Sequence, residues 1–408
     1  MRIAEINMVS YGSTGRIMFH VAEAARLNGN TVQTYSPILF LGRKRKTERA
    51  NIPHHFWWGS RLESLFHFCV GSRLGANGLF SWFGTLTLIR NLKRLSPDII
   101  HIHNIHAFCL NYPMFFNYVK KSGARVIWTF HDCWPFTGHC PHFIICGCNK
   151  WQTECKKCPQ PKVYPEMYLD TSRIMYHKKK KWFSELRDLT IVTPSEWLAS
   201  LVERSFFKCH EVKVINNGID LSIFQPRVSN FKEKYNIKAK YTLLGVSSGW
   251  GYRKGLDVFI ELAKRLDSEK YQIVLVGTND DIDAQLPSNI ISIHRTNDQI
   301  ELAEIYSAAD LFVNPTREDT YPTVNMESIA CGTPVVTFKT GGSPEILDQL
   351  TGSVVECNDI DAMEKEIKRV TDGNVFKRDD CIRRAEAFDR NKCFDRYVEL
   401  FNSICKDQ

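Results

Sequence analysis

No stretch of the 408-residue sequence is apolar for long enough to cross a membrane as a helix. Such a span needs roughly 18 consecutive uncharged apolar residues, and the best candidate, ANGLFSWFGTLTLI at 76–89, is too short and too polar. The apolar core of a signal peptide is also missing. MRIAEINMVSYGSTGR instead reads as a strand running into a loop, so a cytoplasmic protein is expected. No repeat of solenoid period is visible, which excludes stacked-repeat architectures. The chain carries a formal charge of +8, but no base-stacking motif or basic recognition helix accompanies it. Nucleic acid is therefore not the expected partner.

What is present is an alternation of strands and helices. At 408 residues the chain is too long for one ordinary core, and two α/β domains of about 150–200 residues each are expected. RIAEIN (2–7), TVQTYSP (31–37), DIIHIH (98–103), RVIWTF (125–130), LTIVTP (189–194) and VKVINN (212–217) read as strands in the first half. GSTGRI opens a helix through Leu27, with Ile17, Val21, Ala24 and Ala25 at helical spacing. The second half repeats the pattern with YTLLGVSS (241–248), YQIVLVG (271–277), IISIH (290–294), DLFVNP (310–315) and PVVTF (334–338). The expected organisation is a first domain over 1–222, a second over 223–385, and a final helix over 386–408 packing back toward the first. The fold class is α/β, with two Rossmann-like doubly wound domains facing across a cleft. In such sheets ligands bind beyond the carboxyl ends of the strands.

The positive charge is clustered in GRKRK (42–46) and HKKKKW (177–182). Solvated surface accounts for both; a patch facing anionic lipid is the functional alternative. Cysteine is clustered too, with six of the fourteen between Cys133 and Cys158. In a reducing compartment that spacing suggests metal before disulfide. Cys155-x2-Cys158 is one ligand pair, and Cys140 and Cys148 would complete a tetrahedral structural zinc site, with Cys133 and Cys146 as spares. His139 or His142 could replace one cysteine. The alternative is a set of buried free thiols. HIHNIH (101–106) puts two histidines on one strand face, but lining a pocket at the strand's end suits it better than metal. DDID (280–283) contains Asp-x-Asp and reads as a plain connecting loop.

One stretch concentrates the chemistry. In DLFVNPTREDTYPTVNMESIACGTPVVTF a strand leads into a loop bearing Asp319 and then a helix bearing Glu327, with Thr323 as the expected cap. The first free amides of that helix, around Val324 and Asn325, form an anion site. A phosphate held there would lie between two carboxylates able to accept from a ribose diol and from sugar hydroxyls. A capping acid and a loop acid without a ligand remain the plain alternative.

This stretch resembles the Glu-x7-Glu motif of retaining family 4 glycosyltransferases, which have the GT-B fold, with Asp319 in place of the first Glu. VINNGIDLSIFQP (214–226), GYRKGLDVFIELAKRL (251–266), GSTGRI and VTPSEWLASLVERSFF (192–207) match other family segments in the right order. The segment from His131 to Gln160 is similar to a subgroup that includes colanic acid enzymes.

The resemblance implies residue roles and a reaction. Glu327 would bind the nucleotide ribose, and Asp319 would contact the donor sugar. Arg253 and Lys254 would neutralise the leaving diphosphate. Gly12 and Gly15 would permit close backbone approach, with Arg16 as a further charge, and His131 would line the reaction centre. Many relatives carry Arg where this chain has Ser248. The implied activity is that of a retaining hexosyltransferase without a catalytic metal. It would use a UDP-sugar in preference to a GDP-sugar, and its acceptor would be a lipid-linked oligosaccharide at the inner face of the plasma membrane. The rival expectations are a non-catalytic, zinc-stabilised membrane or nucleic-acid binding module, and a sugar-nucleotide 2-epimerase of the same fold.

Overall fold

The structure is a computed structural model that describes residues 1–40, 52–106, 108–186 and 188–406. The basic run 42–46 lies outside the described residues. The chain divides into two compact units. The first comprises Met1–Asn216 with Phe394–Gln408, and the second Asn217–Cys393.

The first unit is built on seven parallel strands: β1 (Arg2–Ile6), β2 (Thr31–Pro37), β3 (His55–Trp58), β4 (Ile99–Ile102), β5 (Arg125–Thr129), β6 (Leu189–Thr193) and β7 (Glu211–Val214). Their order is β3-β2-β1-β4-β5-β6-β7. Helices cover both faces of a parallel sheet, so its central strands are buried on both sides rather than alternating. Every residue of β4 is buried, and so is every residue of β6. β1 pairs with β2 on one side and with β4 on the other, and the second pairing places Glu5 opposite His101. The last helix, Arg390–Lys406, adds Phe394, Tyr397, Val398 and Phe401 to the core that contains Ile3, Ile99 and Val192.

The second unit has six parallel strands: β8 (Tyr241–Val246), β9 (Tyr271–Val276), β10 (Ile290–Ile293), β11 (Leu311–Asn314), β12 (Val335–Phe338) and β13 (Gly352–Val355). Their order is β10-β9-β8-β11-β12-β13. In both units the strand order therefore reverses once, between β1 and β4 and between β8 and β11. At a reversal, consecutive crossovers leave in opposite directions and the carboxyl ends of the two strands stay uncovered. Each expected doubly wound sheet is present.

Some details differ from the expectation. The strands in DIIHIH, RVIWTF, VKVINN and YTLLGVSS end at Ile102, Thr129, Val214 and Val246, because the last residues of each run turn into loops at the carboxyl edge. β3 and β13 were not anticipated from the sequence. HFWW and GSVV are four-residue edge strands with no room for a hydrophobic period. DDID is a short helix, Asp280–Asp283, whose Asn279 side chain accepts from the Ile282 amide. Ser172–Phe183 is a helix in which Lys179 is buried, so HKKKKW is not a uniformly solvated run.

His67 illustrates how buried polar groups couple the fold to pH. It lies on helix Arg61–Leu74, accepts a hydrogen bond at Nε2 from the Gly78 amide at 3.0 Å, and contacts Ser81 Oγ through Nδ1 at 2.8 Å. Both contacts suit neutral imidazole, and burial lowers its pKa from 6.5 to about 3. The unfolded chain takes up this proton more readily, so the contribution is intact above about pH 6.5 and fades as the pH falls toward 3. Urea-unfolding stability measured from pH 7 to pH 4 is expected to decline less steeply in His67→Gln than in the unsubstituted protein.

Candidate functional site

In the second unit, the loops after β8 and β11 meet at the strand-order reversal. Tyr252–Lys254 forms a tight turn in the first loop. The Arg317 amide donates to the Arg253 carbonyl at 2.9 Å, and the Arg253 guanidinium donates back to the Glu318 carbonyl at 3.1 Å. Arg317 clamps the pair. It makes two bonds to the Asp257 carboxylate (2.8 and 2.7 Å), bonds Asn358 Oδ1 at 2.6 Å, and lies 3.8 Å from the Tyr252 ring centre. Bidentate Arg–carboxylate geometry gives directional rigidity that a lysine would not.

This clamp brings Lys254 Nζ to 2.6 Å from Asp319 Oδ2, with about a fifth of each side chain exposed. The backbone of Asp319 is fixed from a third side. Gly341 has φ +53°, and a Cβ there would lie 1.7 Å from the Asp319 carbonyl oxygen. The Gly-Gly turn after β12 therefore supports the loop that carries the acid.

Helix Thr323–Ala330 follows, with Pro322 at the cap position. The expected Thr323 cap is not formed, because Thr323 is already the first helical residue. The Asn325 amide donates to the Pro322 carbonyl at 3.2 Å, and its side chain accepts from Asn314 Nδ2 at 2.7 Å. Val324 is half-buried. Glu327 is buried and accepts from Tyr306 Oη at 3.2 Å. Burial and the neighbouring Glu327 charge push the Tyr306 hydroxyl well above its usual pKa, which keeps it a donor. Ser248 is exposed on the loop after β8.

In the first unit, the loops after β1 and β4 are bonded together. The Met8 amide donates to the Asn104 carbonyl at 2.7 Å, and the Asn104 amide donates to Asn7 Oδ1 at 3.2 Å. Gly12, with φ +70°, begins helix Gly12–Leu27. Gly15 packs so closely that a Cβ would lie 2.7 Å from the Ser10 carbonyl carbon. Arg16 is exposed on the same turn.

His131 follows β5, and its Nε2 lies 3.0 Å from His103 Nδ1. Beside it, Asp132 Oδ2 accepts from Asn104 Nδ2 at 3.2 Å and lies 3.1 Å from His106 Nε2. Burial would raise the Asp132 pKa, but His106 and the Trp134 amide outweigh it and hold it at about 2. HIHNIH thus ends its strand among polar partners. Glu5, His101 and His103 have ligating atoms within 4.8 Å of one another. Those atoms already hydrogen-bond one another at 2.9–3.0 Å, however, which suits a proton network better than a metal. Asp280, Asp283 and His294 form a second such group, on the surface.

Cys140, Cys146, Cys148, Cys155 and Cys158 line one small recess together with His139. Cys146, expected as a spare, is among them, whereas Cys133 is buried in the aromatic core. The Gly138 amide donates to Cys155 Sγ at 3.2 Å, and Lys150 Nζ donates to the Lys156 and Lys157 carbonyls at 3.2 and 2.9 Å. Lys179 is fully buried nearby, donating to the Trp134 carbonyl with its ammonium 3.6 Å from that indole's centre.

Four contributors to these sites escaped the sequence reading: Glu5, Arg317, Asp257 and Tyr306. Glu5 had a signal, an acid inside an otherwise apolar central strand (RIAEI) facing the histidines of HIHNIH. Arg317 and Tyr306 had none, since their roles depend on partners 60 and 21 residues away.

Comparison with known proteins identifies the family and the fold. Residues 19–223 match the family model described as Glycosyltransferase Family 4, and residues 228–388 match Glycosyl transferases group 1. WcaC of Escherichia coli (strain K12), provisionally assigned as a colanic acid biosynthesis glycosyl transferase, is 22% identical over 375 residues, covering 89% of this chain and 90% of that one. Among solved structures, sucrose-phosphate synthase from Thermosynechococcus elongatus superimposes with a TM-score of 0.72 at 17% identity over 100% of both chains. Anabaena HepE in complex with UDP gives 0.69 at 14% identity, covering 99% of this chain and 100% of that one. The expectation of a non-catalytic binding module is not favoured by these matches.

Proposed function

The chain belongs to glycosyltransferase family 4, and from that premise we propose that it is a retaining, metal-independent hexosyltransferase that uses a nucleotide diphosphate sugar to extend a cell-surface polysaccharide. The observation that carries this reading is the Lys254–Asp319 pair, pinned by Arg253 and Arg317 where the strand order reverses. Sugar transfer builds negative charge on the departing diphosphate while the sugar becomes oxocarbenium-like. Lys254 and Arg253 would meet that charge, with Lys254 exchanging Asp319 for a phosphate oxygen. Asp319 would then be available to a sugar hydroxyl. Glu327, oriented by Tyr306, would accept from the ribose diol. Backbone amides around Val324 would complete the phosphate site. With Ser248 in place of an arginine, more of the charge falls to Arg253, and Arg16 is a further candidate. His131 would stand beside the acceptor, and the donor phosphate would take the acceptor proton.

UDP is the preferred nucleotide, in keeping with HepE, which has been solved with UDP and with UDP-glucose. Calorimetric titration is expected to show micromolar binding of UDP and weaker binding of GDP. Loss of one charge-assisted hydrogen bond in Glu327→Ala should weaken binding about 10- to 100-fold. Lys254→Ala should cut turnover by about 100-fold or more. Added Mg2+ should leave turnover unchanged, and the product should keep the donor's anomeric configuration. A folded protein that binds neither nucleotide would overturn the reading.

A lipid-linked acceptor at an anionic membrane is supported by the surface of two helices in the first unit, Arg61–Leu74 and Trp82–Leu95. Leu62 (81% exposed), Phe66, Trp82, Phe83 (77% exposed) and Leu86 face outward. The Glu63 carboxylate is the only acid between residues 52 and 97, and the Phe83 and Gly84 amides occupy it at 2.8 and 2.9 Å. Arg73, Arg90, Lys93 and Arg94 lie on the same helices. No helix among the described residues is long and apolar enough to span a membrane, so contact would be peripheral. The protein is expected to sediment with vesicles containing phosphatidylglycerol, less so at high salt, and Leu62→Ser with Phe83→Ser should abolish it. Equal sedimentation of that variant would remove the surface from the account.

The cysteine recess would hold one structural zinc. Cys140, Cys148, Cys155 and Cys158 would supply four thiolates, and Cys146 borders the same space. The amide bond to Cys155 Sγ and the buried ammonium of Lys179 both suit a negatively charged thiolate cluster. Binding would draw the four sulfurs of the loop around one ion. Elemental analysis of protein grown with zinc should give about one zinc per chain, lost in Cys155→Ser with Cys158→Ser. Metal-free protein with unchanged resistance to chelators would exclude the site.

A further inference from the structure

Across the seam between β1 and β4 runs an unbroken chain of buried hydrogen bonds. Tyr397 Oη lies 3.2 Å from Thr129 Oγ1, and Thr129 Oγ1 lies 2.8 Å from His101 Nε2. His101 Nδ1 lies 3.0 Å from Glu5 Oε1, and Glu5 Oε2 lies 2.9 Å from His103 Nε2. His103 Nδ1 lies 3.0 Å from His131 Nε2. Glu5, His101 and His103 have no exposed surface, and His131 is 9% exposed.

Proton bookkeeping leaves little freedom. An ionised Glu5 accepts from both His101 Nδ1–H and His103 Nε2–H. Neutral His103 must then accept at Nδ1, so His131 donates through Nε2–H and keeps its lone pair on Nδ1. Burial favours neutral imidazoles, against the pull of the Glu5 carboxylate on His103 and of Asp132 on His131. Burial is the main effect on each group, lowering His101 and His103 to about 3 and His131 to about 4. It raises Glu5, although His103 and Arg26, from helix Gly12–Leu27, pull the other way. Asp132 and His106 also face His131.

We propose that Glu5, His103 and His131 form a proton wire that sets the tautomer of His131 and stores on Glu5 any proton taken up at His131 Nδ1. The step balances. A proton from the medium bonds to His131 Nδ1. His131 Nε2–H breaks as His103 Nδ1–H forms, and His103 Nε2–H breaks as Glu5 Oε2–H forms. The unit passes from −1 to 0 without a buried imidazolium. At high pH His131 Nδ1 accepts a hydrogen bond from an acceptor hydroxyl; after uptake it donates, and the acceptor is misoriented. Glu5 and His103 are positioning residues in this scheme, and their effect on turnover rests on the proposed place of His131 beside the acceptor.

The test is nitrogen NMR of the full chain labelled with 15N-histidine, His131 being assigned through His131→Asn, together with the pH profile of turnover. In the unsubstituted protein His131 should be neutral and protonated on Nε2 at pH 8, and should move to the Nδ1–H form through the acid limb without becoming imidazolium. Glu5→Gln, and His103→Gln as a second variant, should shift that limb by about one pH unit or more and lower kcat about 10-fold or more, with little change in the KM for the donor. Thr129→Val, which cuts the network beyond His101, should leave the limb in place. An imidazolium at His131, or an Nδ1–H form at pH 8, overturns the wire in the unsubstituted protein alone. So does an unshifted limb in a folded Glu5→Gln. The NMR arm needs no turnover. If the tautomer follows Glu5 while His131→Asn retains full activity, the wire stands and the proposed place of His131 falls.

Discussion

The reversal of strand order inside each parallel sheet is the constraint on which the candidate sites depend. A parallel strand pair needs a crossover, and successive crossovers in one direction cover the strand ends with their own helices. Where the direction changes, two adjacent strands end in loops that nothing covers. In the second unit those loops carry Arg253, Lys254 and Asp319. In the first they carry Asn7, Gly12 and Asn104, with His131 one strand further along. Uncovered loops would be mobile, and most of the hydrogen bonds described here hold them still.

The two units hold their loops by different physical means. In the second, the clamp is ionic. Arg317 is buried, while the Asp257 carboxylate it grips is almost half exposed. Water screens that pair, so its value is directional rather than a large free energy. It fixes the register of two loops and so the position of a third ion pair that a ligand can enter. In the first unit the clamp is a buried network of neutral imidazoles around one carboxylate. Such a network is costly to leave half-satisfied, which explains why Thr129 and Tyr397 complete it far from His131. One unit thus offers charges that a polyanion can claim, and in the other the proposed wire would fix the polarity of a ring nitrogen from behind.

The exposed apolar helices and the cysteine loop belong to the first unit too. The loop leaves β5 immediately after His131, so whatever orders it also orders the residues around the imidazole. A thiolate cluster balanced by a buried ammonium would do this for a segment with little regular secondary structure. Family membership supplies the reaction class. The proposed membrane surface, metal and proton wire concern how this chain would serve that reaction.

By itself the sequence determined the two doubly wound sheets, because runs such as DIIHIH and YQIVLVG state their burial in consecutive residues. It also determined the place of Asp319, Glu327, Arg253, Lys254 and His131, because each sits at a fixed short distance from a strand end and the motifs around it are local. Only the tertiary structure decided that Lys254 and Asp319 pair, that Arg317 rather than either of them holds the loops, and that Glu5 faces His101 and His103. It also brought Cys146 to the recess and left Cys133 in the core. Those decisions join residues far apart in the chain, and local spacing carries no information about them. They are made by strand register and by the requirement that every buried polar group find a partner.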